Sequence, residues 1–176
     1  IYVTLAKRLV SSVCAIDMEA GPSEVVVLAD AKANPREVAA EMLAQAEHNP
    51  DSVAILVTPS ADLPPKVAAV VEEELELLSR AATIRASLDA FGLAYVVPDL
   101  QGAIRLTNVL APEHLSIQAE EPIAVFERIE NAGAVMLGGG TPVAVTDYYA
   151  GPNHILPTGR RARFSSPLSA EDFRKV

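Results

Sequence analysis

Short apolar runs alternate with stretches of helical periodicity along most of the chain. Val25–Ala29 and Val53–Val57 are continuous apolar runs, which is the pattern of strands that are covered on both faces. Asn34-Pro35 supplies an N-cap and a first helical residue, so we expect a helix from there to His48. Asn49-Pro50 then ends that helix, which therefore connects the first two strands.

The same alternation continues beyond the second strand. It predicts helices over 2–13, 63–80, 100–110 and 122–131, and strands over 94–97, 114–118 and 134–137. Repeated strand–helix units with short connections favour a mostly parallel sheet with helices on both faces. The predicted fold class is therefore α/β, as an incomplete Rossmann-like domain.

The character of the chain changes after about Thr141. Residues 146–164 are polar and rich in turn-forming residues, and a stretch of this length indicates a functional loop. We divide the chain into a helix or linker remnant (1–20), an α/β domain (21–145), and an active-site loop with a C-terminal tail (146–176). Because the chain does not begin with Met and a predicted helix starts at its very beginning, we expect a piece of a longer protein.

Composition excludes several classes of protein. Half of the 176 residues are apolar, which is ample for a core and excludes intrinsic disorder. The 14 basic and 23 acidic residues give a net charge of −9, which argues against nucleic acid or an anionic membrane as the main partner. No apolar run approaches the ~20 residues that span a bilayer. Cys14 is the only cysteine, which excludes an internal disulfide and indicates a reducing compartment.

The first candidate site is the end of the helix that follows Pro35. Gln45 and His48 are three residues apart, so their side chains can reach one point in space. Gln45 also shares a face with Val38 and Met42, which directs its amide toward the core side. The alternative is a simple helix C-terminus at which His48 caps carbonyl groups.

The second candidate is the Glu113-His114 pair, which lies between a predicted helix and a predicted strand. Two neighbouring groups of different pKa can perform acid–base chemistry. In a regular strand they point to opposite faces, so joint action requires an irregular backbone just after Pro112. The alternative is an exposed polar pair in a loop.

The third candidate is the loop that runs from Asp147 to His154. Its carboxylate, imidazole and amide oxygens together suit zinc or a similar divalent ion, although an ordinary turn has the same composition. Gly138-Gly139-Gly140 matches neither a dinucleotide fingerprint nor a Walker A motif, so we interpret it as the exit of a strand.

Taken together, these segments closely resemble histidinol dehydrogenase, in order and at matching separations. The resemblance rests on the segments Ile16-Asp17-Met18, Ala20-Gly21-Pro22-Ser23-Glu24, Gln45-Ala46-Glu47-His48, Ala111-Pro112-Glu113-His114-Leu115, Ala150-Gly151-Pro152-Asn153-His154-Ile155-Leu156-Pro157-Thr158-Gly159 and Ala162-Arg163-Phe164-Ser165-Ser166. It covers essentially the whole chain. Members of that family are much longer, so the resemblance implies an internal portion, and we expect the isolated chain to have little or no turnover.

The resemblance implies an activity and its cofactors. The family oxidises L-histidinol through the aldehyde to L-histidine, the last two steps of histidine biosynthesis, with reduction of two NAD molecules. Its members are zinc-dependent cytoplasmic homodimers in bacteria. The residues that bind NAD are expected mainly outside this chain.

The resemblance also assigns roles to individual residues. Gln45, His48 and Asp147 match zinc ligands, and a fourth ligand, a histidine of the partner subunit, has no counterpart here. Glu113 and His114 match the acid–base pair: His114 takes the hydroxyl proton, and Glu113 activates water for the second oxidation. The substrate-contacting positions are Ser23, Gln45, His48, His114, Asp147 and His154.

Three other functions remain open at this stage. Related dehydrogenases of sulfonated diols or other amino alcohols share the Gln-x-x-His and Glu-His elements. A metal-dependent hydrolase could use Glu113 to activate water. A non-catalytic α/β domain would be indifferent to the loss of His48 or His114.

Overall fold

Five strands form one parallel sheet in the computed structural model, which describes residues 2–175 except the side chain of Asp147. The strands are β1 (Glu24–Ala29), β2 (Val53–Thr58), β3 (Gly92–Val96), β4 (His114–Gln118) and β5 (Ala134–Leu137). Their order across the sheet is β3-β2-β1-β4-β5, and every neighbouring pair is parallel. The predicted α/β class with a parallel sheet is confirmed.

Helices cover both faces of this sheet. They are α1 (Tyr2–Val10), α2 (Pro35–His48), α3 (Leu63–Leu75), α4 (Ala81–Phe91), α5 (Leu100–Leu110), α6 (Pro122–Phe126) and α7 (Val143–Tyr148), with 3-10 turns at Arg161–Arg163 and Ala170–Phe173. The helices α2, α3 and α4 pack on one face, and α5 and α6 pack on the other. Within residues 2–175, no helix is both long and apolar enough to cross a membrane.

The central strand β1 explains why its sequence is a continuous apolar run. Val25 and Val27 point into the core formed with α2, α3 and α4, whereas Val26 and Leu28 point into the core formed with α5. All four side chains are at most 2% exposed. A strand with both faces buried has no polar positions to alternate with, as is usual in parallel sheets.

The predicted helix over 63–80 is wrong over 76–80. α3 ends at Leu75, and a separate helix that the sequence did not predict, α4, begins at Ala81. The reversal between them places Ile84 in the core and lets the Ser87 hydroxyl donate to the Ser52 carbonyl at 2.9 Å. Tertiary packing of α4 thus overrides the helical periodicity of the connecting residues.

Two other helices are shorter than predicted because side chains compete for their backbone groups. The Ser11 hydroxyl donates to the carbonyl of Arg8 near the end of α1. Beyond α6, the Asn108 side chain accepts the N–H of Glu130 at 2.8 Å and donates to the carbonyl of Arg128 at 3.0 Å. Such local bonds offer the backbone an alternative to the helix. The short helix α7 also begins before residue 146, within the predicted α/β domain.

The sheet has a topological switch point between β1 and β4, because the chain moves outward to β3 before it returns to β4. Open α/β sheets usually bind ligands at the carboxyl ends of such strands. Here that end is tied together: the carboxylate of Asp30 accepts the N–H groups of Lys32 and Glu120, and Lys32 forms an ion pair with Glu120. The candidate site lies at the opposite, amino edge.

Candidate active site

A cavity of about 550 Å³ opens at the amino edge of β1 and β4. It is lined by Ser23, Ala44, Gln45, Glu47, His48, Arg80, Glu113, His114, Val143, Ala144, Tyr148 and His154. Six residues that the sequence marked as site candidates therefore share one cavity, although they come from four separate segments of the chain. They are Ser23, Gln45, His48, Glu113, His114 and His154.

The floor of this cavity is the Glu113-His114 pair. Ala111 adopts a left-handed conformation with φ of 48°, Pro112 follows it, and β4 begins only at His114. Glu113 is thus outside the regular strand, and its Oε2 lies 3.5 Å from Nδ1 of His114. Both residues are 6% exposed. The irregular backbone that joint action requires is present.

Glu24 of β1 holds both members of the pair through its backbone. β1 and β4 are in register so that Val25 lies opposite His114. The N–H of Glu24 donates to Oε2 of Glu113 at 2.9 Å, and the carbonyl of Glu24 lies 3.3 Å from Nδ1 of His114. These contacts attach the pair to the most buried part of the sheet.

The same contacts indicate which nitrogen of His114 is basic. The Glu24 carbonyl and the Glu113 carboxylate are both acceptors, so the contact at Nδ1 requires a proton on that nitrogen. In the neutral ring the lone pair is then on Nε2. Nε2 is therefore the atom of His114 that can take a proton.

Gly133 allows the loop and the pair to approach closely. A Cβ at this position would lie 2.6 Å from the carbonyl oxygen of Glu113 and 3.2 Å from Cδ of Pro157. The backbone N–H of Gly133 also donates to the Pro112 carbonyl at 2.9 Å. Only glycine fits here without displacing the residue before His114.

The second wall of the cavity is the C-terminal end of α2. The side chain of Asn34 caps the start of this helix by accepting the N–H of Arg36, and the helix ends at His48 as predicted. Gln45 is 7% exposed, whereas His48 is exposed at the rim. An amide oxygen and an imidazole thus approach the cavity from one helix end.

Helix α7 forms the third wall through Val143, Ala144 and Tyr148. Asp147 lies in this helix, and its side chain is outside the described part of the structure. The helix that carries Asp147 therefore reaches the same cavity as Gln45 and His48.

The donor set fits zinc in its chemistry, since imidazole nitrogen and carboxylate or amide oxygen are suitable ligands. Gln45 and His48 line one cavity, and the helix that contains Asp147, α7, forms part of the wall of that cavity. Among the described side chains, no group of three or more His, Cys, Asp and Glu residues is arranged to hold a metal. The described part of the site therefore supplies two of the three donors that the sequence indicated.

The loop that carries His154 is anchored beside β1 by residues at its far end. The hydroxyl of Thr158 accepts the N–H of Gly21 at 2.6 Å, and Oε1 of Glu24 accepts the N–H of Gly159 at 2.8 Å. Thr158 is 3% exposed, whereas His154 is exposed at the cavity rim. The loop is thus fixed at its end and open at its histidine.

Two carboxyl groups around the cavity are partly desolvated. Burial raises the pKa of Glu24, and the negative charge of Glu113 raises it further, against the N–H of Gly159. Burial also raises the pKa of Glu41, against the N–H of Val143 and the charge of His114. The folded state therefore favours the protonated form of both carboxyl groups.

Sequence reasoning missed several residues that line or support the cavity. Arg80 contributes a guanidinium to the lining, but the sequence placed it at the end of a long helix rather than in a turn. Glu24 belongs to a segment that matches the family but was given no role, and Glu41 lies in a regular helix with no motif around it. Their signal is a charged residue at a position that the pattern assigns to the interior.

Comparison with known proteins relates the whole chain to one family. The family model described as histidinol dehydrogenase matches residues 1–176. A histidinol dehydrogenase of Halalkalibacterium halodurans is 52% identical over 175 residues, which is 99% of this chain and 41% of that protein. Those of a Synechococcus species and of Aquifex aeolicus are 50% and 49% identical, over 40% and 41% of their lengths.

A solved structure shows the same relation. The crystal structure of histidinol dehydrogenase from Elizabethkingia anophelis matches with a TM-score of 0.93 and 39% identity. The match covers 97% of this chain and 40% of that one. The chain thus spans about two fifths of the length of the relatives it matches.

Proposed function

Because this chain belongs to the histidinol dehydrogenase family, we propose that a full-length protein containing it oxidises L-histidinol through the aldehyde to L-histidine. One observation carries the proposal. The amino edge of the sheet brings Ser23, Gln45, His48, Glu113, His114 and His154 around a single cavity. The roles of these residues come from the resemblance of the sequence. The shared cavity supports the proposal because it brings the residues together.

His114 acts as the base in the first oxidation. Its protonated Nδ1 faces the carbonyl oxygen of Glu24 and the carboxylate of Glu113. Nε2 therefore takes the hydroxyl proton as hydride leaves the carbon. His114 is 6% exposed and lies at the floor of the cavity. A base of this kind typically contributes 10²–10⁴-fold to the rate.

Glu113 acts in the second oxidation by accepting a proton from the water that adds to the aldehyde carbon. The N–H of Glu24 holds Oε2 of this carboxylate at 2.9 Å and fixes its orientation. The pair therefore divides two proton transfers between two neighbouring groups, one for each oxidation.

The proposal requires a metal and a hydride acceptor. Zinc held by Gln45, His48 and Asp147 would supply a Lewis acid for the amine and imidazole of the substrate, and NAD would supply the hydride acceptor. Ser23 and His154 would contact the substrate from β1 and from the loop. A homodimer would complete the ligand set, in line with the resemblance.

The test is the zinc-loaded full-length protein with L-histidinol and NAD. We expect two NADH per histidinol and loss of that activity on chelation, and metal analysis beside Asp147→Asn should show that zinc binding depends on Asp147.

Absence of NADH formation with histidinol contradicts the proposal. Turnover of a sulfonated diol instead indicates the related dehydrogenases, and turnover without NAD indicates a hydrolase. Full activity of His48→Ala and His114→Ala contradicts the assigned roles.

A further inference from the structure

Glu41 is a buried carboxylate with no role in the proposed chemistry. It lies in α2, one turn before Gln45 and two turns before His48, and it is 4% exposed. Charged residues are rarely buried to this extent unless they are paired. Its partners therefore indicate what it does.

Both carboxylate oxygens of Glu41 face the first residue of α7. They accept the backbone N–H of Val143, at 3.2 Å to Oε1 and 3.3 Å to Oε2. Val143 begins a helix that continues through Asp147 to Tyr148. A carboxylate at a helix N-terminus is favourable because the first N–H groups have no partner within the helix.

This contact joins the two helices that carry the candidate metal ligands. α2 carries Gln45 and His48, and α7 carries Asp147. The Glu41–Val143 hydrogen bond lies one turn before Gln45 in α2 and one turn before Asp147 in α7. Val143 also lines the cavity itself. The distance between the two ligand-bearing helices is therefore fixed at this hydrogen bond.

We propose that Glu41 is a positioning residue that holds α7 against α2 and so sets the separation of the candidate zinc ligands. This inference rests on the proposed function, because it assigns the bond a role in metal binding. Outer residues that orient ligands typically contribute 10–100-fold to metal affinity.

The test compares Glu41→Ala, Glu41→Gln and Glu37→Ala in the full-length protein. Zinc affinity is measured by competition with a chelator, and ligand geometry by the visible absorption spectrum of the cobalt(II)-substituted protein. We expect Glu41→Ala to lower zinc affinity about 10–100-fold and to alter the cobalt spectrum. Glu41→Gln should recover most of both, because its amide oxygen still accepts the Val143 N–H. Glu37 is exposed one turn earlier on α2, so Glu37→Ala should change neither.

A second variant removes the same hydrogen bond from the other side. Val143→Pro deletes the N–H at the first position of a helix, where proline is tolerated, and Pro142 already has a conformation (φ −72°, ψ 156°) that a following proline permits. We expect Val143→Pro to lower zinc affinity as Glu41→Ala does. The double variant Glu41→Ala/Val143→Pro should show no further loss, because both changes remove the same hydrogen bond. This keeps the inference testable even where Glu41→Ala does not fold.

Two outcomes overturn different statements. Wild-type zinc affinity in Val143→Pro or in folded Glu41→Ala, beside a clear loss in His48→Ala, overturns the positioning role and leaves the proposed function standing. Retention of zinc by His48→Ala and Asp147→Asn as well overturns the proposed metal site itself.

Discussion

Two parts of the cavity wall are built in different ways. The acid–base pair, Glu113 and His114, lies at the start of a central strand, is 6% exposed and is held by the backbone of β1. The candidate ligand His48 and the substrate-contacting candidate His154 are exposed at a helix end and in a loop. The first part is enclosed by this chain, whereas the second presents its groups at an open rim.

This difference in exposure corresponds to a difference in proposed role: the buried part transfers protons, and the exposed part binds metal and substrate. A base and a water-activating carboxylate need a fixed orientation, and the contacts at a buried strand end provide it. Metal ligands gain their geometry from all the donors together and from the groups that hold the ligand-bearing helices, so a single ligand such as His48 can be exposed. We therefore expect damage to the strand part to affect catalysis first, and damage to the rim to affect binding first.

The largest expected effect is that of removing the base. His114→Asn in the full-length protein should lower kcat by about 10²–10⁴-fold, because it removes the group proposed to take the hydroxyl proton. The matched variant at the rim, His154→Asn, should mainly raise KM for histidinol. Steady-state NADH formation distinguishes the two, and equal losses of kcat would remove the contrast between the two parts of the wall.

The second prediction concerns the exposed ligand. His48→Ala should lower zinc affinity by more than the 10–100-fold typical of an outer-shell partner. The free energy of unfolding of the zinc-free chain should change by less than about 0.5 kcal/mol, because the side chain is exposed. Chelator competition and urea unfolding measure these quantities.

A matched core variant calibrates that comparison. Leu115→Ala, at a side chain that is 0% exposed immediately after the acid–base pair, should cost about 2–5 kcal/mol in the same unfolding experiment. A large loss of stability in zinc-free His48→Ala would show that the rim is part of the core after all.

The sequence predicted most of the fold because its strands are continuous apolar runs with clear helix signals between them. β1, β2, β4 and β5 lie where expected, and Asn34 caps α2 as its type suggested. The division between α3 and α4 was not predictable from periodicity, since only packing on α2 and β2 makes the chain turn between them.

The sequence singled out residues that share one cavity, but it did not indicate the contacts that support them. Gln45, His48, Glu113 and His114 come from motifs, and the structure places them around one cavity. The contributions of Glu24, Glu41 and Gly133 depend on contacts between segments far apart in sequence, such as Glu24 with Gly159. No local pattern contains that information.

The third prediction tests the close approach at Gly133. Gly133→Ala places a methyl group 2.6 Å from the Glu113 carbonyl, so this strand entry must shift. We expect a loss of about 1–3 kcal/mol in the free energy of unfolding, and a lower kcat in the full-length protein. Gly140→Ala is the matched control, because a Cβ there has nothing within 4 Å. Equal free energies of unfolding and equal kcat in the two variants would mean that the close contact between Gly133 and the Glu113 carbonyl tolerates a side chain.

The smallest expected effect is a change in the pH dependence of stability. Burial and the nearby charge of Glu113 raise the pKa of Glu24, so the folded state favours its protonated form. A raised carboxyl pKa contributes stability that is fully present below the unfolded value of about 4.3 and is lost as pH rises through the folded value. In Glu24→Gln that contribution is absent, while the amide oxygen still accepts the N–H of Gly159.

Comparing the stability of Glu24→Gln with that of wild type separates the effect of Glu24 from that of the other partly desolvated carboxyl group, Glu41. Glu41 also has a raised pKa and the same sign of pH dependence, but it is present in both proteins and cancels. The urea midpoint of Glu24→Gln relative to wild type should therefore increase from about pH 4.3 upward and level off once Glu24 is ionised. A difference that decreases would mean that the fold favours the ionised carboxylate, and a constant difference would mean that Glu24 is solvated. The strand end would then be as open as the rim that carries His48 and His154.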